Sequence, residues 1–327
     1  MKKDALKIVF MGTPDFAVPV LDAILKAGYN VVAVVTVPDK PAGRGKKLRP
    51  SPIKEYAIEH GLNLLQPEKL RDEVFVHNLK ELKPDLQIVV AFRMLPKVVW
   101  TIPAIGTFNL HASLLPQYRG AAPINYAIIN GEKETGLTTF FIDDKIDTGS
   151  IILQQKLKID ETDDFKSLHD KMMVEGAALV LKTIELIKRG NVQLIDQNEF
   201  IKKGEPLKTA PKILKKDCRV DWDKPVTQVY NFIRGLSPWP VAYTNIIDET
   251  KKEYYVKVFK VTKHIEGHQN EPGEVETDNK SFIKVYCQDG FVTIEELQKV
   301  GKKRMKAVEL LRGFSFLGKV KVVTSIK

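Results

Sequence analysis

Leu6-Lys7-Ile8-Val9-Phe10-Met11-Gly12-Thr13-Pro14-Asp15-Phe16-Ala17-Val18-Pro19-Val20-Leu21 is the stretch whose reading decides the fold. Leu6–Met11 is a short apolar run of strand length that breaks at Gly12. Thr13 is the expected N-cap of a helix, with Pro14 at its first position and Asp15 in its first turn. A proline needs no amide partner there, and an acid meets the positive end of the helix. Phe16, Ala17, Val20, Leu21, Ile24 and Leu25 recur at helical spacing, and Gly28 closes the helix.

The pattern repeats outward from this unit. Val31–Val37 is mostly β-branched and, Thr36 apart, apolar, as expected of a parallel strand buried on both faces. Ile53–His60 and Asp72–Leu82 read as helices, and Leu62–Leu65, Leu86–Ala91 and Gly106–Leu110 as strands. Such alternation predicts an α/β fold with a doubly wound, mostly parallel sheet. A strand-like run, Leu137–Ile142, and a long helix at about 164–189 complete the front part. Residues 190–208 are polar and aperiodic, and read as a linker. A short helix, Pro225–Gly235, then precedes strand patterns at Thr244–Ile247, Tyr254–Val261, Phe282–Tyr286, Phe291–Leu297 and Val320–Val323, the spacing of a small barrel or sandwich. The expected organisation is residues 1–189, a linker at 190–208, and a second domain at 209–327.

Composition narrows the function classes. The chain has 327 residues, 43% hydrophobic and 28% charged, which excludes disorder, collagen and coiled coil. No apolar run reaches membrane-helix length, so no membrane association is expected. The first residues carry an acid and make a poor signal peptide, and the expected compartment is the cytoplasm. Cys218 and Cys287 are too few and too far apart for a disulfide framework or a zinc site, so metal catalysis built on cysteine is excluded. The net charge of +10 is concentrated in the back half. Residues 1–205 carry 28 Lys+Arg against 26 Asp+Glu, and residues 206–327 carry 23 against 15. This is the pattern of a catalytic domain joined to a polyanion-binding one, although general solubility needs also produce basic surfaces.

The densest polar constellation is Phe108-Asn109-Leu110-His111-Ala112-Ser113-Leu114-Leu115-Pro116-Gln117-Tyr118-Arg119-Gly120. Asn109 and His111 are two apart at a strand end, so their side chains share one face, at the sheet edge where ligands bind in parallel α/β folds. A histidine alone is better explained as a satisfied core residue; the adjacent Asn, Ser and Arg, and the Gly120-Ala121-Ala122-Pro123 turn, shift the reading toward a site. A second candidate is Asp143-Asp144-Lys145-Ile146-Asp147-Thr148-Gly149, in which Asp143 and Asp144 read as solvated charges. Asp147 stands before a tight-turn signature. An imidazole with a carboxylate is the pairing used for proton transfer. A third is the basic loop Pro38–Pro50, with Arg44, Lys46 and Lys47 among its cations. It suits a phosphate-bearing substrate, against the alternative of a surface loop that is merely basic. The turn at Gly12 lacks the further glycines of a dinucleotide site and the lysine of a P-loop, which disfavours nicotinamide and ATP chemistry.

Asn109-x-His111-x-Ser113-Leu114-Leu115-Pro116, then Arg119-Gly120 and Asp147-Thr148-Gly149, resembles the formyltransferases that use 10-formyltetrahydrofolate. Phe10–Pro19, the basic loop, Asn231-Phe232-Ile233-Arg234-Gly235-Leu236-Ser237-Pro238-Trp239-Pro240 and Leu297–Met305 narrow the resemblance to the methionyl-tRNA formyltransferase family. It runs from Lys7 to about Gly313. At Phe92 and Arg93 the chain departs from a segment in which tyrosine and glycine are commoner.

The resemblance implies a Rossmann-like first domain, an OB-like C-terminal barrel, and formyl transfer from 10-formyltetrahydrofolate to the amino group of methionine on the initiator tRNA. It assigns Asn109, His111 and Asp147 to catalysis and Ser113, Leu114, Leu115 and Pro116 to the folate pocket. Arg44, Lys46 and Lys47 of the loop, and Lys302, Lys303 and Arg304 of the barrel, would contact tRNA. Neither a metal nor an obligate protein partner is implied. Three other readings stand beside it: formylation of a small amine such as glycinamide ribonucleotide or an amino sugar nucleotide, hydrolysis of the donor, and a non-catalytic RNA-binding protein. None of the small-acceptor readings explains the basic back half.

Overall fold

The computed structural model describes residues 5–42, 47–201 and 204–323. Two compact units divide the chain. Met1–Gly120, Glu134–Lys158 and His169–Thr209 belong to the first, and Ala121–Lys133, Ile159–Leu168 and Ala210–Lys327 to the second.

The first unit is built on a seven-stranded sheet. Its strands are β1 (Lys7–Gly12), β2 (Asn30–Val35), β3 (Leu64–Leu65), β4 (Leu86–Val90), β5 (Gly106–His111), β6 (Glu134–Phe141) and β7 (Ile151–Lys158). The order is β7-β6-β5-β4-β1-β2-β3. β1 through β5 pair in parallel, and β6 and β7 are antiparallel additions. This is the doubly wound, mostly parallel arrangement that the alternating pattern predicts, and its order reverses beside β1, where such sheets open a crevice at their carboxyl ends. Val9, Met11, Ala33, Val35 and Val89 pack with Phe75, Leu79 and Val99 in one buried cluster.

Two local readings are corrected, and one strand is added. Thr13 does not cap a helix: Pro14 is the N-cap of a 3-10 turn, Asp15–Ala17, and the α-helix is Val18–Lys26. Pro19 explains the delay. A helix begun at Pro14 would carry Pro19 in its interior, where it lacks an amide and clashes with the preceding turn. Starting at Val18 places Pro19 in the first turn, where its missing amide costs nothing. Second, β7 is a strand the sequence pattern conceals. Its Gln154, Gln155, Lys156 and Lys158 suit an edge strand with one wet face. Third, the basic loop is a short hairpin, Lys40–Ala42 against Lys47–Arg49. Its base is tied by Lys54 Nζ, 2.8 Å from both oxygens of Asp39, and this contact with help from Gln66 holds the Asp39 carboxyl below the usual range.

The second unit contains a closed antiparallel barrel. Its strands are β8 (Ala242–Ile247), β9 (Glu253–Ile265), β10 (Glu274–Thr277), β11 (Ile283–Tyr286), β12 (Gly290–Lys299) and β13 (Val320–Val322). Around the ring they pair as β9-β8-β13-β10-β11-β12, and β12 returns to β9. Full closure leaves no sheet edge within that ring. Five of these strands match the predicted positions. The short β10 does not, because Glu274 and Glu276 leave too little apolar signal. Trp222, Val226, Val229 and Ile233 belong to the same core cluster as Val256, Val258, Ile294 and Leu297 of the barrel. The helix Val226–Gly235 supplies three of them. Among the described residues no helix is long and apolar enough to cross a membrane.

Candidate active site

β5 places Asn109 and His111 on one face at the carboxyl end of the parallel sheet. Its register sets Asn109 beside Val89 of β4 and Phe140 of β6, and His111 beside Thr138. His111 is buried at 6% exposure, and its Nε2 lies 2.9 Å from the carbonyl of Tyr118. A carbonyl only accepts, so Nε2 carries the proton in that contact. The other ring nitrogen, Nδ1, stands 3.8 Å from Asp147 Oδ2, beyond direct hydrogen-bond length. Asp147 Oδ2 also accepts a hydrogen bond from the Gly120 amide at 2.9 Å. The Asn109 side chain is half-buried and makes no hydrogen bond among the described residues. The structure therefore brings the three predicted polar residues to one edge of the sheet.

The loops that carry these groups are held in conformations ordinary residues avoid. Tyr118 has φ +61° and Asp147 φ +54°, both left-handed. Gly149 explains why the Asp147 loop needs a glycine: a Cβ there would lie 1.7 Å from the Phe141 carbonyl oxygen. Leu115, Phe140 and Ile151 form a small buried cluster, joined by Ile142 and Ile195.

The segment Ser113–Pro116 is mostly interior. Ser113, Leu115 and Pro116 are buried and only Leu114 is half-exposed. Ser113 Oγ donates to the Gln117 carbonyl at 2.6 Å. Thr138 is the node beneath this loop. Its hydroxyl donates to the Ser113 carbonyl at 2.7 Å and accepts from the Leu115 amide at 3.1 Å and from Gln154 Nε2 at 3.0 Å. Gln154 also donates to the Leu115 carbonyl at 2.8 Å. Sequence reasoning missed Thr138 and Gln154. The one available signal was the Thr138-Thr139 pair inside the otherwise apolar Leu137–Ile142 run.

Arg93 is held by the chain itself through its two terminal nitrogens, while its Nε is buried without a partner. Its guanidinium donates to the carbonyls of Glu68 at 2.8 Å and Pro67 at 2.5 Å, and burial lowers its pKa from the usual value. The departure from glycine at this position thus braces the segment before the helix Glu73–Glu81.

The basic residues are distributed differently. Arg44 and Lys46 lie outside the described residues; the backbone of Lys47 lies in the hairpin, but its side chain does not belong to the described part. Lys302, Lys303 and Arg304 are exposed in the second unit. Arg304 is engaged, with Nε and Nη2 each 2.7 Å from Glu296 Oε2 and its guanidinium 4.5 Å over the Phe259 ring.

Comparison with known proteins gives one answer along the chain. A family profile described as formyl transferase matches residues 6–184, and one described as formyl transferase, C-terminal domain, matches residues 212–315. A methionyl-tRNA formyltransferase of Bacteroides fragilis is 56% identical over 314 residues, covering 96% of this chain and 97% of that protein. One of Flavobacterium johnsoniae is 50% identical over 319 residues, covering 98% and 99%. A solved N-formyltransferase of Helicobacter canadensis shares the fold, with a TM-score of 0.64 at 24% identity over 90% of this chain and 99% of that one. With both parts of the chain matched, and relatives at least half identical across nearly all of it, the chain belongs to the formyl transferase family.

Proposed function

We propose that this chain transfers the formyl group of 10-formyltetrahydrofolate to the free amino group of methionine on the initiator tRNA. The observation that carries the chemistry is the placement of His111 Nδ1 3.8 Å from Asp147 Oδ2, on the strand face that Asn109 shares. The acceptor is supported by relatives at 50–56% identity over nearly their full length that bear the name methionyl-tRNA formyltransferase. The basic back half agrees with a polyanionic acceptor.

Unfilled hydrogen-bonding capacity at the sheet edge fits a polar donor there. Thr13 Oγ1 is buried without a partner just beyond β1, and the Asn109 amide is unbonded among the described residues. The donor supplies a formyl carbonyl held on nitrogen. Asn109 is placed to donate a hydrogen bond to the oxygen on which charge develops, the arrangement that stabilises acyl transfer. Tyr118 fixes the His111 ring through Nε2, which leaves Nδ1 as the atom that takes and gives a proton. Asp147, fixed in turn by the Gly120 amide, orients that nitrogen, and the proton lost by the attacking amine passes through this pair, directly or through water, to the donor nitrogen as its bond to the formyl carbon breaks. Ser113–Pro116 frame the donor pocket as a buried, braced loop. None of these roles requires an acylated side chain.

The basic loop (Arg44, Lys46, Lys47) and the barrel cations (Lys302, Lys303, Arg304) hold the tRNA backbone without reading its sequence. Catalysis is drawn at residues 1–189 and tRNA binding at 209–327, and residues 190–208, which read as a linker, fall within the first unit. The cytoplasm is the compartment where such an acceptor is made and used. The test is kcat/KM for methionyl initiator tRNA against uncharged tRNA, glycinamide ribonucleotide and an amino sugar nucleotide. A preference for the charged tRNA supports the reading, and a faster small acceptor refutes it.

A further inference from the structure

Gln197 lies in the polar stretch that reads as a linker, yet it is buried at 2% exposure. Local structure puts it there. Ile195 pairs with Ile151 through two backbone hydrogen bonds of 2.8 and 3.0 Å. Asp196 then caps a 3-10 turn, Gln197–Phe200, accepting from the Asn198 amide at 2.8 Å. The turn directs the Gln197 amide inward.

Every bonding position of that amide is filled. Nε2 donates to the carbonyls of Asp147 and Gly149, each at 2.9 Å. Oε1 accepts from Arg119 Nη2 at 2.6 Å and Nε at 3.1 Å. The amide orientation is unambiguous, since flipping it would set an NH2 against a guanidinium and an oxygen against two carbonyls. Gln197 thus joins two segments that already meet at the Gly120 amide and the Asp147 carboxylate. A second tie acts on the other side of His111. The Tyr118 amide donates to the Lys208 carbonyl at 2.7 Å, and the Tyr118 carbonyl is the one that fixes His111 Nε2. Gln117 Oε1 accepts from the Lys208 amide at 2.8 Å.

We propose that Gln197 is a positioning residue for the reaction, clamping the left-handed Asp147 loop so that its carboxylate faces His111. This rests on the reading of Asp147 as catalytic. The clamp acts on the backbone on both sides of Thr148, so it sets where the carboxylate stands without touching substrate. A displacement of about 1 Å at such a group lowers turnover roughly 100-fold.

The test uses the full chain with 10-formyltetrahydrofolate and methionyl initiator tRNA. Gln197→Glu keeps an oxygen for Arg119 but turns a second oxygen on the two carbonyls, and Gln197→Met removes all four bonds at similar length. Thr183→Ala, which breaks the buried Thr139–Thr183 hydroxyl pair, controls for lost stability. Both Gln197 variants should lower kcat by about 10–100-fold. KM for either substrate should change by less than about threefold. Amide exchange over residues 141–150 should accelerate, and Thr183→Ala should leave kcat within about twofold. Parental kcat in Gln197→Met, a fall in kcat without faster exchange over 141–150, or an equal loss in Thr183→Ala would each overturn the clamp. Asp147→Asn is measured beside them. Parental turnover there refutes the reading of Asp147 and the clamp together, whereas an impaired Asp147→Asn with a parental Gln197→Met refutes the clamp alone.

Discussion

The carboxylate of Asp147 stands 3.8 Å from Nδ1 of His111, and the other nitrogen of that ring is fixed on the Tyr118 carbonyl. Only one ring nitrogen is therefore open to proton traffic, and the carboxylate borders it. Asn109 projects from the same strand face without a hydrogen bond among the described residues. The arrangement leaves one hydrogen-bonding side chain and one carboxylate-bordered ring nitrogen at the carboxyl edge of the sheet.

Removing either half of the pair should stop chemistry and spare binding. His111→Ala and Asp147→Ala are expected to lower kcat by about 100–10,000-fold. Asn109→Ala should cost about 100–1,000-fold, the usual loss for one oxyanion donor. Filter binding of methionyl initiator tRNA should remain parental in all three. Near-parental turnover in His111→Ala would remove the assignment.

Gly149→Ala should be more damaging than its size suggests. The added Cβ meets the Phe141 carbonyl oxygen at 1.7 Å, so the backbone of the Asp147 loop must move. A drop in kcat comparable to that of Asp147→Ala, with the protein still folded by circular dichroism, is the expected outcome.

Thr138→Val keeps volume but deletes the hydroxyl that serves the Ser113 carbonyl, the Leu115 amide and Gln154. Leaving such buried groups unpaired costs about 1–3 kcal/mol. Urea unfolding should show that loss with an unchanged m-value.

Much of this was legible in the sequence, for physical reasons that also mark where legibility stopped. The buried parallel strands announce themselves because both faces are apolar, as in Val31–Val37. Asn109 and His111 stand out because polar side chains rarely interrupt such strands without cause. The Thr13 cap failed because Pro19, six residues on, governs where the helix can begin. β7 was hidden by the wet face of an edge strand. Gln197 gave no signal, because a buried amide bonded entirely to long-range partners has no local periodicity to betray it.

The barrel cations should differ among themselves. Lys302 and Lys303 are exposed, whereas Arg304 is paired with Glu296. Lys302→Glu with Lys303→Glu should raise KM for tRNA and flatten its dependence on salt, since each lost phosphate contact removes roughly one unit of slope. Arg304→Glu should change that slope less. A parental slope in both variants would take the segment out of the tRNA interface.

Both thiols should be inert in the folded protein. Cys218 and Cys287 are buried; burial raises the Cys218 thiol pKa with help from Asp217, and pushes Cys287 up to about 12. The thiolate is the reactive form. Ellman's reagent at pH 8 should therefore find no fast thiol natively and two after denaturation.

Direct transfer is the central claim, and a single-turnover experiment addresses it. Enzyme in excess is mixed with 10-formyltetrahydrofolate labelled in the formyl carbon and with methionyl initiator tRNA, then quenched over time. The account predicts that label passes from donor to methionyl-tRNA at one rate, with no labelled protein and no free formate. Label accumulating on the protein, or released as formate while the tRNA stays unformylated, would contradict it.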